Sequence, residues 1–151
     1  MSDQSPQTMV IDQESTRGEG GPVINDFSIQ VATVNGSGSQ SSNSVLMRSI
    51  FQMGIPVSGK NLFPSNIAGL PTWFTIRANK HGWIARRKEI DFLVAMNAET
   101  AREDVTNLDP NRCVVYEETL KLNQIRKDLT FFPTPFAKLA TEITPDSRLR
   151  K

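Results

Sequence analysis

The apolar positions of this chain fall into short runs whose spacing alternates between strand-like and helix-like, and that alternation predicts the fold. Residues 29–34, Ile-Gln-Val-Ala-Thr-Val, are mostly β-branched or small and predict a first strand. Val45, Leu46, Ile50 and Met53 then recur at helical spacing. They predict a helix over 43–53 with Ser41 or Ser42 as N-cap and Gly54 as the stop. A second short strand is expected through Ile55, Pro56 and Val57, followed by a loop over 62–71 whose two prolines and glycine forbid a regular element. An ordered loop of that length implies a binding or interface role. Thr72–Arg77 and Trp83–Arg86 read as antiparallel partners around Lys80-His81-Gly82, an inserted β-hairpin.

Within Asp91–Asn97, the residues from Phe92 to Met96 form an unbroken apolar run that ends in a polar residue, the pattern of a strand buried on both faces. Asn97 is expected to cap a helix beginning near Ala98, with Glu99, Glu103 and Asp104 favouring its early turns and Pro110 beyond its end. Short strands are expected at 114–116 and 129–132, separated by a stretch carrying Leu120, Leu122 and Ile125. Pro135 then opens a helix to about Glu142. Five or six strands alternating with helices predict a Rossmann-like three-layer α/β fold, its sheet mostly parallel with an inserted β-hairpin. In such sheets ligands lie beyond the carboxyl ends of the strands, where Asn35 and Asn97 fall.

Composition narrows the picture. Residues 1–25 are rich in Ser, Gln, Glu, Gly and Pro and read as a flexible leader, leaving one folded unit over 26–151. The 17 basic and 16 acidic residues are interspersed, so no nucleic-acid footprint is implied. The one tight basic knot, Arg86-Arg87-Lys88, reads as a solvated strand end. No apolar run approaches the length of a bilayer span and no signal peptide is present, which implies a cytoplasmic protein. Cys113, alone in the chain, excludes an internal disulfide and cannot hold an iron–sulfur cluster by itself; it reads as a buried, inert thiol. His81, also single, reads as a turn residue.

The chemistry concentrates at Asn35-Gly36-Ser37-Gly38-Ser39-Gln40-Ser41, between the first strand and the first helix. Glycines at 36 and 38 let the chain turn sharply and let a ligand approach the backbone, and the helix that follows offers unpaired N–H groups. A phosphate is the default guest. A nicotinamide dinucleotide is disfavoured, because the stretch from Ile55 to Asn61 lacks the acidic residue that would hold its ribose and offers only Lys60.

A longer pattern is more specific. The string from Asn61 to Arg77, taken with Gly36–Gln40, Gly82–Arg87 and Asp91–Asn97, closely resembles the gamma domain of the 2-oxoacid:acceptor (ferredoxin) oxidoreductases. The version it is most similar to is fused at the N-terminus of the 2-oxoglutarate:ferredoxin oxidoreductase alpha subunit. The resemblance covers Asp26 to the C-terminus. It implies an enzyme that uses thiamine diphosphate with Mg, iron–sulfur clusters and coenzyme A to convert a 2-oxoacid oxidatively to an acyl-CoA, passing electrons to ferredoxin. It implies as partners the remaining alpha-subunit domains and the beta subunit, with no catalytic residue in this chain.

Two departures stand out. The family's turn often reads Gly-x-Gly-Gly-Gln-Gly, whereas serines occupy 39 and 41 here, which favours packing against a subunit over close wrapping of a pyrophosphate. The chain also ends at Lys151, where the family continues into a further helix, so the domain is expected to be truncated. The candidate binding residues are Gly36, Ser37, Gly38, Ser39, Gln40 and Ser41 in the turn, Ser65 and Asn66 on the loop, and Arg77 and Arg86 as anion partners. Plainer roles stand beside these: Ser65 capping a turn, Asn66 holding a left-handed backbone position, and the arginines pairing with surface acids. The rival to an oxidoreductase component is a non-enzymatic nucleotide-binding or subunit-interaction module.

Overall fold

The structure, a computed structural model, describes residues 24–83 and 85–144. The expected leader lies outside them except for Ile24 and Asn25. Strand β1 (Asp26–Val34) leads into helix α1 (Ser39–Gln52), then come β2 (Val57–Leu62), β3 (Pro71–Asn79), β4 (Phe92–Ala95), α2 (Ala101–Thr106), β5 (Cys113–Glu117), β6 (Thr130–Thr134) and α3 (Phe136–Ile143). Two 3-10 turns, Glu118–Leu120 and Leu122–Gln124, connect β5 to β6.

The strands form one sheet in the order β2-β3-β1-β4-β5-β6. The run β1-β4-β5-β6 is parallel throughout, and β3 runs antiparallel to both β1 and β2. The reversal at β3 is what makes the sheet mostly instead of wholly parallel. It also means that the ends of β1 and β2, the start of β3 and the ends of β4 to β6 share one pole of the domain.

Alternation of side chains along the strands fills two cores. On one face Ala32, Leu93, Ala95, Val114 and Tyr116 pack beneath Ala101, Val105 and Leu108 around α2 and beneath Leu122. On the other, Phe74, Ile76 and Ala78 of β3 meet Ile50 and Met47 of α1, with Phe27, Ile29 and Val57 beside them. Gly59 makes that second packing possible: a Cβ there would stand 2.6 Å from Met47 Sδ and 2.8 Å from Phe74 Cζ. Helices thus cover the sheet on both sides, the three-layer architecture that the sequence predicts.

Four local expectations differ. The hairpin is β2–β3, not Thr72–Arg77 with Trp83–Arg86, because β3 is already paired on one side with β2 and on the other with β1. Ile84 lies outside the described residues, and its described neighbours carry no strand. Helix α1 starts at Ser39, with a left-handed Gly38 (φ 80°) at the N-cap and no side-chain cap, so neither Ser41 nor Ser42 fills that role. Its buried face is Asn43–Met47–Ile50, whereas Val45, Leu46 and Met53 are exposed. Asn97 caps a turn instead of the helix itself: its Oδ1 accepts from Glu99 N at 3.0 Å, and α2 begins later, after Thr100.

Apolar surface is left uncovered on the α1 side of β4, β5 and β6. Phe92 and Phe132 are exposed there, with Val94, Cys113 and Val115 half-buried between them, so Cys113 is less sheltered than a core thiol. Leu139 and Ile143 of α3 are exposed as well, and no residue of that helix is buried.

Candidate functional site

The turn after β1 and the loop over 63–70 meet at the carboxyl pole, and Asn35 joins them. Its backbone N–H donates to Leu70 O at 2.8 Å, its backbone carbonyl accepts from Gly69 N at 2.8 Å, and its Nδ2 donates to Ile67 O at 3.2 Å. Gly36 is left-handed (φ 84°), and a Cβ on it would reach Ala68 Cβ at 3.4 Å. Both motifs therefore form one rim, held mainly by backbone hydrogen bonds.

Behind that rim lies a cavity of about 350 Å³. Gly36, Gly38, Ser39, Gln40 and Ser41 line it from the turn and α1, Thr33 and Asn35 from the end of β1, and Asn61, Thr72 and Phe74 from β2 and β3. Asn43, one turn into α1, closes its floor and is only 6% exposed. Thr33 and Ser39 share a hydroxyl–hydroxyl hydrogen bond at 2.8 Å, while Thr72 Oγ1 donates to Asn61 Oδ1 at 3.1 Å. The start of α1 borders this space, and there Ser41 N donates to Gly38 O at 3.1 Å. Among the described residues, no side chain lining the cavity is ionisable.

Of the residues expected from the sequence, five of the turn therefore converge on the cavity. Ser37 belongs to the same turn, but its hydroxyl is buried with no partner among the described residues. Ser65 and Asn66 sit on the exposed outer loop; Ser65 Oγ accepts from Ile67 N at 3.2 Å, which makes it a turn cap. The left-handed residue of this loop is Gly69 (φ 89°), not Asn66.

The arginines are elsewhere. Because β3 is antiparallel, Arg77 lies opposite Ser28 near the start of β1, at the far pole. It pairs there with Asp26 and donates to the carbonyls of Phe27 and Ala78. Arg86 is exposed in the segment leading to β4, and its neighbour Arg87 pairs with Asp91 at that same pole. Arg112 Nη1 completes the cluster at 2.8 Å from Asp91 Oδ1, and Asp91 Oδ2 accepts from Ser28 N at 2.9 Å.

Burial opposes ionisation of Asp26, but hydrogen bonds from Arg77 and Asn79 and the charges of Arg77 and Arg87 outweigh it and hold the carboxyl below its ordinary range. Beneath α2, burial pushes Asp104 up while it accepts from Trp73 Nε1 at 2.9 Å. His81 is exposed in the turn after β3, its ring 5.2 Å from that of Trp83. Among the described residues no group of His, Cys, Asp and Glu could hold a metal ion, and no helix is long and apolar enough to cross a membrane.

Sequence reasoning missed Asn43, Asn61, Thr33 and Thr72. The only signal for Asn43 was its phase with Met47 and Ile50, which places it on the buried stripe of α1.

The fold and the cavity define a Rossmann-like α/β domain with a polar, uncharged site at the carboxyl ends of its strands. The comparisons with known proteins agree. The chain belongs to the pyruvate ferredoxin/flavodoxin oxidoreductase family, whose model matches residues 28–150. It is 23% identical over 100 residues to the alpha subunit of 2-oxoacid:ferredoxin oxidoreductase 2 from Aeropyrum pernix, covering 66% of this chain and 16% of that one. Among solved structures, the 2-oxoglutarate:ferredoxin oxidoreductase of Magnetococcus marinus, with 2-oxoglutarate, coenzyme A and succinyl-CoA bound, matches with a TM-score of 0.71 and 23% identity. That match covers 79% of this chain and 21% of the other. The pyruvate oxidoreductase subunit PORC of Thermotoga maritima and the keto/oxoacid ferredoxin oxidoreductase gamma subunit of Geobacter sulfurreducens share the fold, each with a TM-score of 0.61, at 15% and 10% identity. In both cases the match covers 78% of this chain and 66% of the subunit. This chain thus spans about a sixth of the curated relative's length.

Proposed function

We propose that residues 26–151 are the gamma-domain component of a thiamine diphosphate-dependent 2-oxoacid:ferredoxin oxidoreductase. The complex oxidatively decarboxylates 2-oxoglutarate to the acyl-CoA and passes the electrons to ferredoxin. The observation that carries this reading is the meeting of the Gly36–Ser41 turn and the 63–70 loop through Asn35, since both motifs bear the family resemblance, and Asn61 and Thr72, on the strands that flank the loop, line the same cavity as the turn.

The groups that the complex needs divide by fit. No carboxylate lines the cavity to hold the Mg of thiamine diphosphate, and the single Cys113 falls short of an iron–sulfur ligand set, so those groups belong to the remaining alpha-subunit domains and the beta subunit. Coenzyme A is compatible with this chain. The cavity offers amide and hydroxyl groups and the N-terminus of α1, and coenzyme A, when bound, supplies the thiol that takes up the acyl group. The chain's own residues bind, orient and exclude water; none is placed to move a proton or attack a carbonyl. The exposed apolar side chains Phe92, Phe132, Leu139 and Ile143 support a life within a larger assembly.

The test is co-purification of the native chain followed by an assay of 2-oxoglutarate-dependent reduction of a low-potential dye with coenzyme A present. Reduction that disappears when the chain is omitted from the reassembled complex is the expected result. A pull-down free of thiamine- and cluster-binding subunits would overturn the proposal in favour of a non-enzymatic binding module.

A further inference from the structure

Charge is divided unevenly along this chain. Residues 1–23 carry the four acids Asp3, Asp12, Glu14 and Glu19 against the one base Arg17, a side-chain charge of −3, whereas the whole chain carries +1. Residues 24–151 are left with +4. Two of the leader's acids directly follow its apolar cluster, in the string Met9-Val10-Ile11-Asp12-Gln13-Glu14.

The leader enters the fold at the amino pole, among exposed cations. Asn25 O accepts from Lys80 N at 2.8 Å, and Oδ1 of the next residue, Asp26, lies 3.9 Å from Arg87 Nη1. Lys80, and Arg86 and Lys88 on either side of Arg87 in the chain, therefore stand around the entry point, and all three are exposed. The acids of this pole do not neutralise them: Asp26 and Asp91 are engaged by Arg77, Arg87 and Arg112, and Glu89 is the one acid in residues 80–89.

The same surface presents an aromatic ring in a fixed frame. Asn79 Oδ1 accepts from His81 N at 2.8 Å and from Trp83 N at 3.4 Å, and Gly82 N donates to Asn79 O at 3.0 Å, so the end of β3 holds the turn that carries Trp83. The indole is 51% exposed, with the His81 ring 5.2 Å away. A tryptophan among cations is the composition of a contact surface, and an apolar cluster followed by acids is its complement.

We infer that residues 9–14 dock on this patch of their own chain, Met9–Ile11 against the rings of Trp83 and His81, and Asp12 and Glu14 against Arg86, Lys88 and Lys80. Length permits it, because the dozen residues from Asp12 to Val23 span up to about 40 Å. Exposed ion pairs are weak singly. The tether compensates: a short connection gives an effective concentration on the order of millimolar, so a contact of millimolar affinity is occupied about half the time. Docked there, the leader covers Trp83 and offsets the outward charge of the pole.

¹H–¹⁵N NMR of the full chain tests this, read at the Trp83 indole N–H and at the backbone amides of residues 9–14. The indole of Trp73, bonded to Asp104, is the internal reference. Raising the salt to about 0.5 M, where screening leaves charges a reach of only a few ångströms, should shift the Trp83 and leader signals together and leave Trp73 in place. Asp12→Lys with Glu14→Lys should give the high-salt spectrum already at low salt. Adding Arg86→Glu with Lys88→Glu should restore the docked spectrum, because the charges are then exchanged and not removed. A Trp83 signal indifferent to salt and to the leader's charge would overturn the docking, and failure of the exchanged chain to recover would overturn the pairing with Arg86 and Lys88. Shifts that vanish on dilution would place the leader on a second copy and overturn the contact within one chain.

Discussion

The two ends of the same strands are built from opposite chemistry. At the amino pole, Asp26, Arg77, Arg87, Asp91 and Arg112 form an ion-paired cluster in which the carboxylates are shared among guanidinium groups. At the carboxyl pole, glycines, serines, threonines and asparagines surround an open cavity, with no ionisable side chain among the described residues that line it. The contrast separates structure from site. A buried charge is tolerated only when paired, so the charged cluster is held by the fold, whereas the hydroxyls and amides around the cavity carry no charge that needs a partner.

The largest expected effect tests the structural side. Asp91 receives Ser28 N, Arg87 and Arg112 while nearly buried itself. Asp91→Asn removes the negative charge and leaves two guanidinium groups facing each other, which should cost about 3 kcal/mol and lower Tm by roughly 10 °C. Denaturant unfolding would measure it. A loss below about 1 kcal/mol, the scale of an exposed pair, would make the cluster ordinary surface charge and dissolve the contrast.

How much of this was legible from sequence follows from geometry. The strand–turn–helix unit and the existence of β4 were readable because their apolar spacing is set locally and glycine marks the turn; burial of β4 on both faces does not hold, because α1 leaves Phe92 and Val94 uncovered. Arg77 was misplaced for a topological reason: nothing in its neighbourhood tells that β3 runs backwards, and that reversal carries it to the far pole. The hairpin was misplaced because β2 is an edge strand, Val-Ser-Gly-Lys-Asn-Leu, whose polar residues and glycine hide its strand character. Asn43 escaped notice because an asparagine inside a helix ordinarily faces water, and only the packing of Met47 and Ile50 on β3 fixes the helix phase.

The next effect strikes the carboxyl pole. Gly36→Ala places a Cβ on a residue with φ 84°, about 1–2 kcal/mol of strain, and brings it to 3.4 Å from Ala68 Cβ. Stability should fall by that amount, as denaturant unfolding would measure. Unchanged stability would mean that the turn and loop are not one rigid rim. Asn35→Ala is gentler, since it deletes the 3.2 Å side-chain bond to Ile67 O while leaving the backbone bonds to Gly69 and Leu70. A loss of about 0.5–1 kcal/mol is expected, seen most clearly as faster amide hydrogen exchange over residues 67–70. Exchange equal to wild type would place the rim's cohesion in the backbone bonds alone.

The smallest effect is one of pH, and it sharpens the comparison because Asp26 belongs to the amino-pole cluster, whereas no described side chain lining the carboxyl-pole cavity is ionisable. The folded state holds Asp26 below its ordinary value, so folding favours the carboxylate. Its contribution is complete above the unfolded value and is lost as the pH falls through the lowered one. Its side chain is 39% exposed, so solvent screening keeps that contribution small. Acidification should therefore erode stability slightly in wild type and less in Asp26→Asn, the two curves converging at low pH. The described lining of the carboxyl-pole cavity, with no ionisable side chain, adds nothing to that slope. A wild-type curve no steeper on acidification than that of Asp26→Asn would mean that the carboxylate at the amino pole is not held by its arginines, and that part of the division would have to be given up.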